Sequence, residues 1–165
     1  MTTLMAIDPG MMSGYFYGEF DELTPLMRIG YKQIPGGSKG LFDFLQGRIA
    51  DVVVCEKFTP RPNGGRQFRL DELEPIRIEG WMEVFYPNVV WQKPAAMVLR
   101  NGATQTERKR NSDNVLRETG WWLTGSDPNV NYKDANDVNA AAKHALAYIR
   151  SIGHEPTISV MTARA

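Results

Sequence analysis

The chain has 165 residues, 42% of them hydrophobic and 10% aromatic, enough for one domain with a sizeable core. Nineteen basic and nineteen acidic side chains cancel, which argues against a nucleic-acid partner held by bulk charge alone. No apolar run approaches the roughly 20 residues of a membrane span, no secretory signal pattern opens the chain, and the lone Cys55 excludes an intrachain disulfide framework.

Residues 3–8 are predicted to form a buried strand. Gly10 and Gly14 bracket a turn, and residues 14–18 return as a second strand. Between residues 26 and 34, Met27, Ile29 and Tyr31 alternate with Arg28, Gly30 and Lys32, the period of a third strand in an antiparallel meander. Ser38 can cap a helix over 39–48 with Leu41, Phe42 and Leu45 on one face. Residues 51–56 carry a continuous apolar run, as a central strand covered on both faces does. The connection to it is expected to be right-handed, making it parallel.

Pro60, Pro62, Gly64 and Gly65 mark residues 58–70 as a loop. A helix is predicted over 72–85, with Pro75 tolerated only in its first turn. Leu73, Ile76, Gly80 and Val84 form a stripe along it, with Trp81 and Phe85 beside it; the stripe suits either the core or another subunit. A short strand is expected at 89–91, a short helix at 94–99, and a polar, basic loop at 100–111. Asn111 or Ser112 can cap a helix to about 119. Residues 124–133 read as a connector, 134–150 as a helix ended near Gly153, and 156–165 as a loose tail. The order predicts a single α/β domain over 1–155, with a mixed five-stranded sheet flanked by helices: three antiparallel strands, then parallel ones.

Asp8 ends the first strand and Glu56 ends the fourth, while Asp134 and Asp137 open the last strong helix one turn apart on a shared face. Carboxylates gathered without partners repel, so such a set points to bound divalent cations. Two such cations are the usual apparatus for cutting a phosphodiester. Two divalent ions would cancel the four acids, leaving the remaining surface net positive by about four. The basic residues are also uneven. Lys57, Arg61, Arg66 and Arg69 lie in a stretch without acids, and Lys93, Arg100, Arg108, Lys109 and Arg110 face only Glu107. Both stretches are expected to bind DNA phosphates. Cys55, next to Glu56 on a strand, should face away from it into the core. His144, two turns after Asp137 on roughly the same face, is read as a packed or solvent-facing residue, with an acid–base role as the alternative.

Asp8-Pro9-Gly10-x-x-Ser13-Gly14-Tyr15, the strand ending in Glu56, and Asp134-x-x-Asp137 together resemble the RuvC-type Holliday-junction resolvases. These belong to the ribonuclease-H-like superfamily, and the likeness is to the compact phage-type branch, over about residues 3–150. It implies a crossover junction endodeoxyribonuclease: a metal-dependent homodimer acting on four-way and related branched DNA. Two Mg2+ per site, replaceable by Mn2+, would be held by Asp8, Glu56, Asp134 and Asp137. One ion would activate water and the other stabilise the leaving 3′ oxygen, giving a 5′ phosphate. The first-motif turn is one residue shorter than in the cellular enzymes. Those enzymes often carry an aromatic three residues after the strand glutamate; Phe58 lies two after it and stands as the corresponding DNA contact. A dimer would pack through the helix bearing Leu73, Ile76, Gly80, Trp81 and Val84. The expected compartment is the cytoplasm, that of a bacterial host if the chain is phage-encoded. Three alternatives stay open: a related nuclease on flap or RNA substrates, an ATP-binding phosphotransferase of the actin/sugar-kinase superfamily, and a non-catalytic module binding branched DNA.

Overall fold

Alternation along the first strand sets the architecture. The computed structural model describes residues 1–59, 70–123 and 135–162. In strand β1 (Thr2–Asp8), Leu4, Met5, Ala6 and Ile7 are all fully buried. A run buried on both faces belongs in the middle of a sheet covered on both sides. The other strands are β2 (Met12–Phe20), β3 (Met27–Pro35), β4 (Val52–Glu56) and β5 (Val90–Gln92). They lie in the order β3-β2-β1-β4-β5. β2 pairs antiparallel with both β1 and β3, while β4 pairs parallel with β1 and β5 with β4. This is the mixed ribonuclease-H-like sheet expected from the sequence.

Two cores follow from the period of two. Leu4, Ala6, Phe16 and Val54 pack on one face with Leu116, Ala142, Leu146 and Ile149 from helices α3 (Gln105–Glu118) and α4 (Ala135–Ser151). Met5, Ile7, Tyr15, Val53 and Cys55 pack on the other with Leu41, Leu45, Ile78 and Met82 from α1 (Gly37–Leu45) and α2 (Glu74–Phe85). Each large apolar side chain fully buried in this way contributes roughly 1.5–3 kcal/mol. Among the described residues, no helix is long and apolar enough to cross a membrane.

Several local expectations are corrected, and the open choice for the α2 stripe is narrowed. The basic segment expected as a loop over 100–111 is largely helical: α3 starts at Gln105, capped by Thr104. The Thr104 hydroxyl accepts from the Glu107 N–H, and the Glu107 carboxylate accepts from the Thr104 N–H, a reciprocal capping box. Ser112, expected as a cap, is buried mid-helix; its hydroxyl donates to the Arg108 carbonyl and accepts from the Leu99 N–H. Helix α1 begins before Ser38, whose N–H is satisfied by the Glu74 carboxylate of α2 at 2.6 Å. On α2 the packed residues are Glu74, Ile78 and Met82, so Ile76, Gly80 and Val84 face outward. Instead of a loose tail, residues Glu155–Thr162 form α5, anchored by the buried Thr157 and Met161. The Thr157 hydroxyl accepts from the Leu26 N–H at 2.8 Å.

Candidate active site

The same alternation that buries Ala6 and Val54 against α4 turns Asp8 and Glu56 toward that helix. Ile7 pairs with Cys55, so the two acids follow one another in register at the ends of neighbouring parallel strands. Cys55 is fully buried on the opposite face, as expected. Burial pushes its thiol well above the usual range, as suits an inert core residue. After Asp8 the chain turns tightly; the buried Ser13 hydroxyl lies 3.2 Å from the Gly10 nitrogen and 3.1 Å from its carbonyl oxygen.

Gly14 lies opposite Asp8 in the β1–β2 ladder. A Cβ on Gly14 would sit 1.9 Å from the Asp137 carbonyl oxygen, so glycine is what lets the first turn of α4 reach the sheet. That approach brings Asp137 to the cleft that Asp8 also lines. The Gln33 amide, reaching over from β3, donates to the Asp137 carboxylate at 2.5 Å. Asp134 lies outside the described residues.

Asp8 has no hydrogen-bond or ion-pair partner among the described residues. Burial, then Glu56, then Asp137 hold its pKa well above the ordinary aspartate value, with Lys143 opposing them. A carboxylate so disfavoured as a lone anion suits a cation. Asp8, Glu56 and His144 each offer one ligand atom, and these atoms all lie within 4.8 Å of one another. The donor set thus fits a divalent metal.

His144, read from the sequence as a packed or solvent-facing residue with an acid–base role as the alternative, contacts one of the acids. It is fully buried, its Nε2 lies 2.8 Å from the Glu56 carboxylate, and its Nδ1 lies 2.7 Å from the Gln92 side-chain oxygen. The two-turn spacing from Asp137 was its only signal in the sequence. Gln92 carried none, since its place depends on the β4–β5 register. Lys143 is also buried and pairs with Asp113 of α3.

The cleft lined by Asp8 and Asp137 has a volume of roughly 690 Å³. Its lining includes Gln105, Arg108, Lys109 and Lys143 beside Asp8 and Asp137. Arg108, Lys109 and Arg110 are exposed on the first turns of α3. Lys57 is exposed directly after Glu56, while Phe58 is half-buried with its N–H donating to Glu79. Arg100 is committed elsewhere: it bridges Glu118 at 2.6 Å and donates to the Met161 carbonyl at 2.9 Å, tying α3 to α5. Arg61, Arg66 and Arg69 lie outside the described residues.

No protein-family model matches this chain, and no curated protein matches it. Solved structures do. A Fowlpox virus resolvase in complex with Holliday junction DNA aligns at a TM-score of 0.61 and 16% identity, covering 91% of this chain and 98% of the viral one. The RuvC of T. thermophilus with a Holliday junction substrate aligns at 0.56 and 14%, covering 93% and 98%. The yeast mitochondrial Holliday junction resolvase aligns at 0.65 and 13%, covering 95% and 82%. At these identities the likeness establishes the fold, which is ribonuclease-H-like.

Proposed function

We propose that this protein is a divalent-metal-dependent DNA endonuclease that resolves four-way and related branched junctions as a homodimer. The observation that carries the reading is Asp8, without a partner among the described residues and crowded by Glu56 and Asp137, at one end of a sheet whose fold matches that of junction resolvases. Asp8, Glu56 and Asp137 would hold the metal, and Asp134, the residue before Ala135 in the sequence, is the fourth candidate carboxylate. When bound, two Mg2+ or Mn2+ ions supply an activated water and stabilise the leaving 3′ oxygen, so that a 5′ phosphate remains. The chain's own part is to hold and orient. Gln33 fixes the Asp137 carboxylate, and Ser13 closes the turn that aims Asp8. Strand ends and a packed helix keep like charges together with little motion at the reacting phosphate.

The phosphate backbone runs over α3, where Arg108 and Lys109 border the cleft and Arg110 lies beside them. Lys57 and Phe58 follow Glu56 directly, and Arg61, Arg66 and Arg69 come next in the sequence as further candidate phosphate contacts. Phosphate contacts of this kind position the duplex arms without reading sequence. The outward stripe of α2 forms the subunit contact: Ile76 is 45% exposed, Val84 73% and Phe85 55%, and a Cβ at Gly80 would meet nothing within 4 Å. Paired sites related by a two-fold axis suit a junction of near two-fold symmetry. The nuclease domain runs from the first strand through α5, and the protein acts in the cytoplasm. The test is a labelled four-way junction incubated with Mg2+ or Mn2+ and either wild-type protein or Glu56→Gln. Cutting by the wild type alone supports the proposal; cutting by both variants, or without metal, removes it.

A further inference from the structure

We infer that His144 Nε2 is itself a ligand of the metal held by Asp8 and Glu56, oriented for that role by Gln92, and that this nitrogen makes the site favour Mn2+ over Mg2+. The inference rests on the metal-site reading above and adds a donor that the four-carboxylate set lacks.

Glu56 and Gln92 are paired in register on adjacent parallel strands, so their side chains leave the same face of the sheet side by side. His144 descends on them from α4 and has no exposed surface. Gln92 grips it twice. Its side-chain nitrogen lies 3.3 Å from the His144 backbone carbonyl, which can only accept, so this end of the amide is the NH2. The amide oxygen then faces Nδ1 at 2.7 Å, and Nδ1 must carry a proton to donate. The ring is thereby fixed in rotation and tautomer, with Nε2 directed at Glu56 Oε2, 2.8 Å away. A carbonyl oxygen holding the far nitrogen of a histidine is the arrangement that orients metal-bound imidazoles.

The spacing also fits. Adjacent ligands of an octahedral ion with bonds of about 2.1 Å lie about 3.0 Å apart. The Nε2–Oε2 separation is close to that, and the Asp8 ligand atom lies within 4.8 Å of both. Mg2+ is a hard ion that seeks oxygen and rarely trades a water for nitrogen, whereas transition metals accept imidazole readily. A buried nitrogen donor beside two carboxylates therefore separates Mn2+ from Mg2+.

The test is pulsed electron paramagnetic resonance of Mn2+ bound to protein labelled with 15N-histidine. The chain has only two histidines, and His154 is engaged with Thr157 and the Asp21 carbonyl. The expected result is a hyperfine coupling from one directly bound nitrogen, lost in His144→Gln. Mn2+ bound to the wild type without that coupling overturns the ligand assignment. If the wild type binds no Mn2+, or Asp8→Asn binds it equally well, the metal-site reading falls, and the ligand assignment with it. Calorimetric titration supplies the selectivity arm. His144→Gln should lose about tenfold or more in Mn2+ affinity and much less in Mg2+ affinity. An equal loss for both ions would mark His144 as a structural residue and overturn the selectivity.

Discussion

Asp8→Asn should stabilise the metal-free protein. Ligand oxygens of Asp8 and Glu56 lie within 4.8 Å, and two full charges at that distance repel by about 3.5 kcal/mol at an effective dielectric of about 20. The cleft beside Asp8 admits some solvent, so the gain at pH 8 should be about 1–2 kcal/mol. For a chain of this size that corresponds to a rise of about 2–8 °C in Tm. The pH dependence has a definite sign. Burial, Glu56 and Asp137 favour the neutral acid, so the folded wild type keeps the Asp8 proton to higher pH than the unfolded chain does. Through that interval the unfolded state binds fewer protons, and wild-type stability falls as pH rises from about 4, the ordinary aspartate value, through the folded value. Asn titrates nowhere, so the variant lacks this loss, and its advantage should shrink toward pH 4. Scanning calorimetry in chelator at pH 4 and pH 8 reads both effects. Adding Mn2+ should reverse the order at pH 8, since a ligand at a hundred times its Kd stabilises the wild type by about 2.7 kcal/mol. A variant less stable than wild type in chelator at pH 8, or a difference independent of pH, would refute the reasoning.

Glu56→Gln should retain junction binding in a gel-shift assay while cutting is lost. Replacing Arg108 and Lys109 together with alanine should weaken binding and reduce the logarithmic salt slope by about two, near one per lost phosphate contact, as read from affinity against salt concentration. Ile76→Asp with Val84→Asp should shift the protein to monomer in sedimentation at micromolar concentration and leave single nicks in place of paired cuts. Thr104→Ala removes the capping box of α3 and should cost about 1 kcal/mol in denaturant unfolding.

That Asp8 and Glu56 end neighbouring strands on one face was legible because the pattern rides on strong local signals. Apolar runs at 3–8 and 51–56 end in acids, and the alternation of a strand fixes which face those acids share. The start of α3 was missed because its first two turns are exposed and carry Arg108, Lys109 and Arg110 instead of an apolar stripe. The signal that existed was Thr104-x-x-Glu107, a cap and its reciprocal partner. The role of His144 could not be read from spacing along α4 alone. It depends on Gln92 standing beside Glu56, a register that tertiary packing decides. Arg100 shows the opposite failure: a cation in a basic stretch of sequence is spent on Glu118 and a carbonyl of α5. The outward stripe on α2 was visible as a pattern, but only packing shows that Ile78 and Met82 form its buried side.

The most direct measurement is cleavage of a four-way junction labelled in turn on each strand, alongside linear duplex and flap DNA, with Mg2+, Mn2+ or chelator. The account predicts paired nicks in two opposed strands, ends that ligase reseals through a 5′ phosphate, no cutting in chelator, and intact linear duplex. Equal cutting of linear duplex, or no cutting of the junction with either metal, would contradict it.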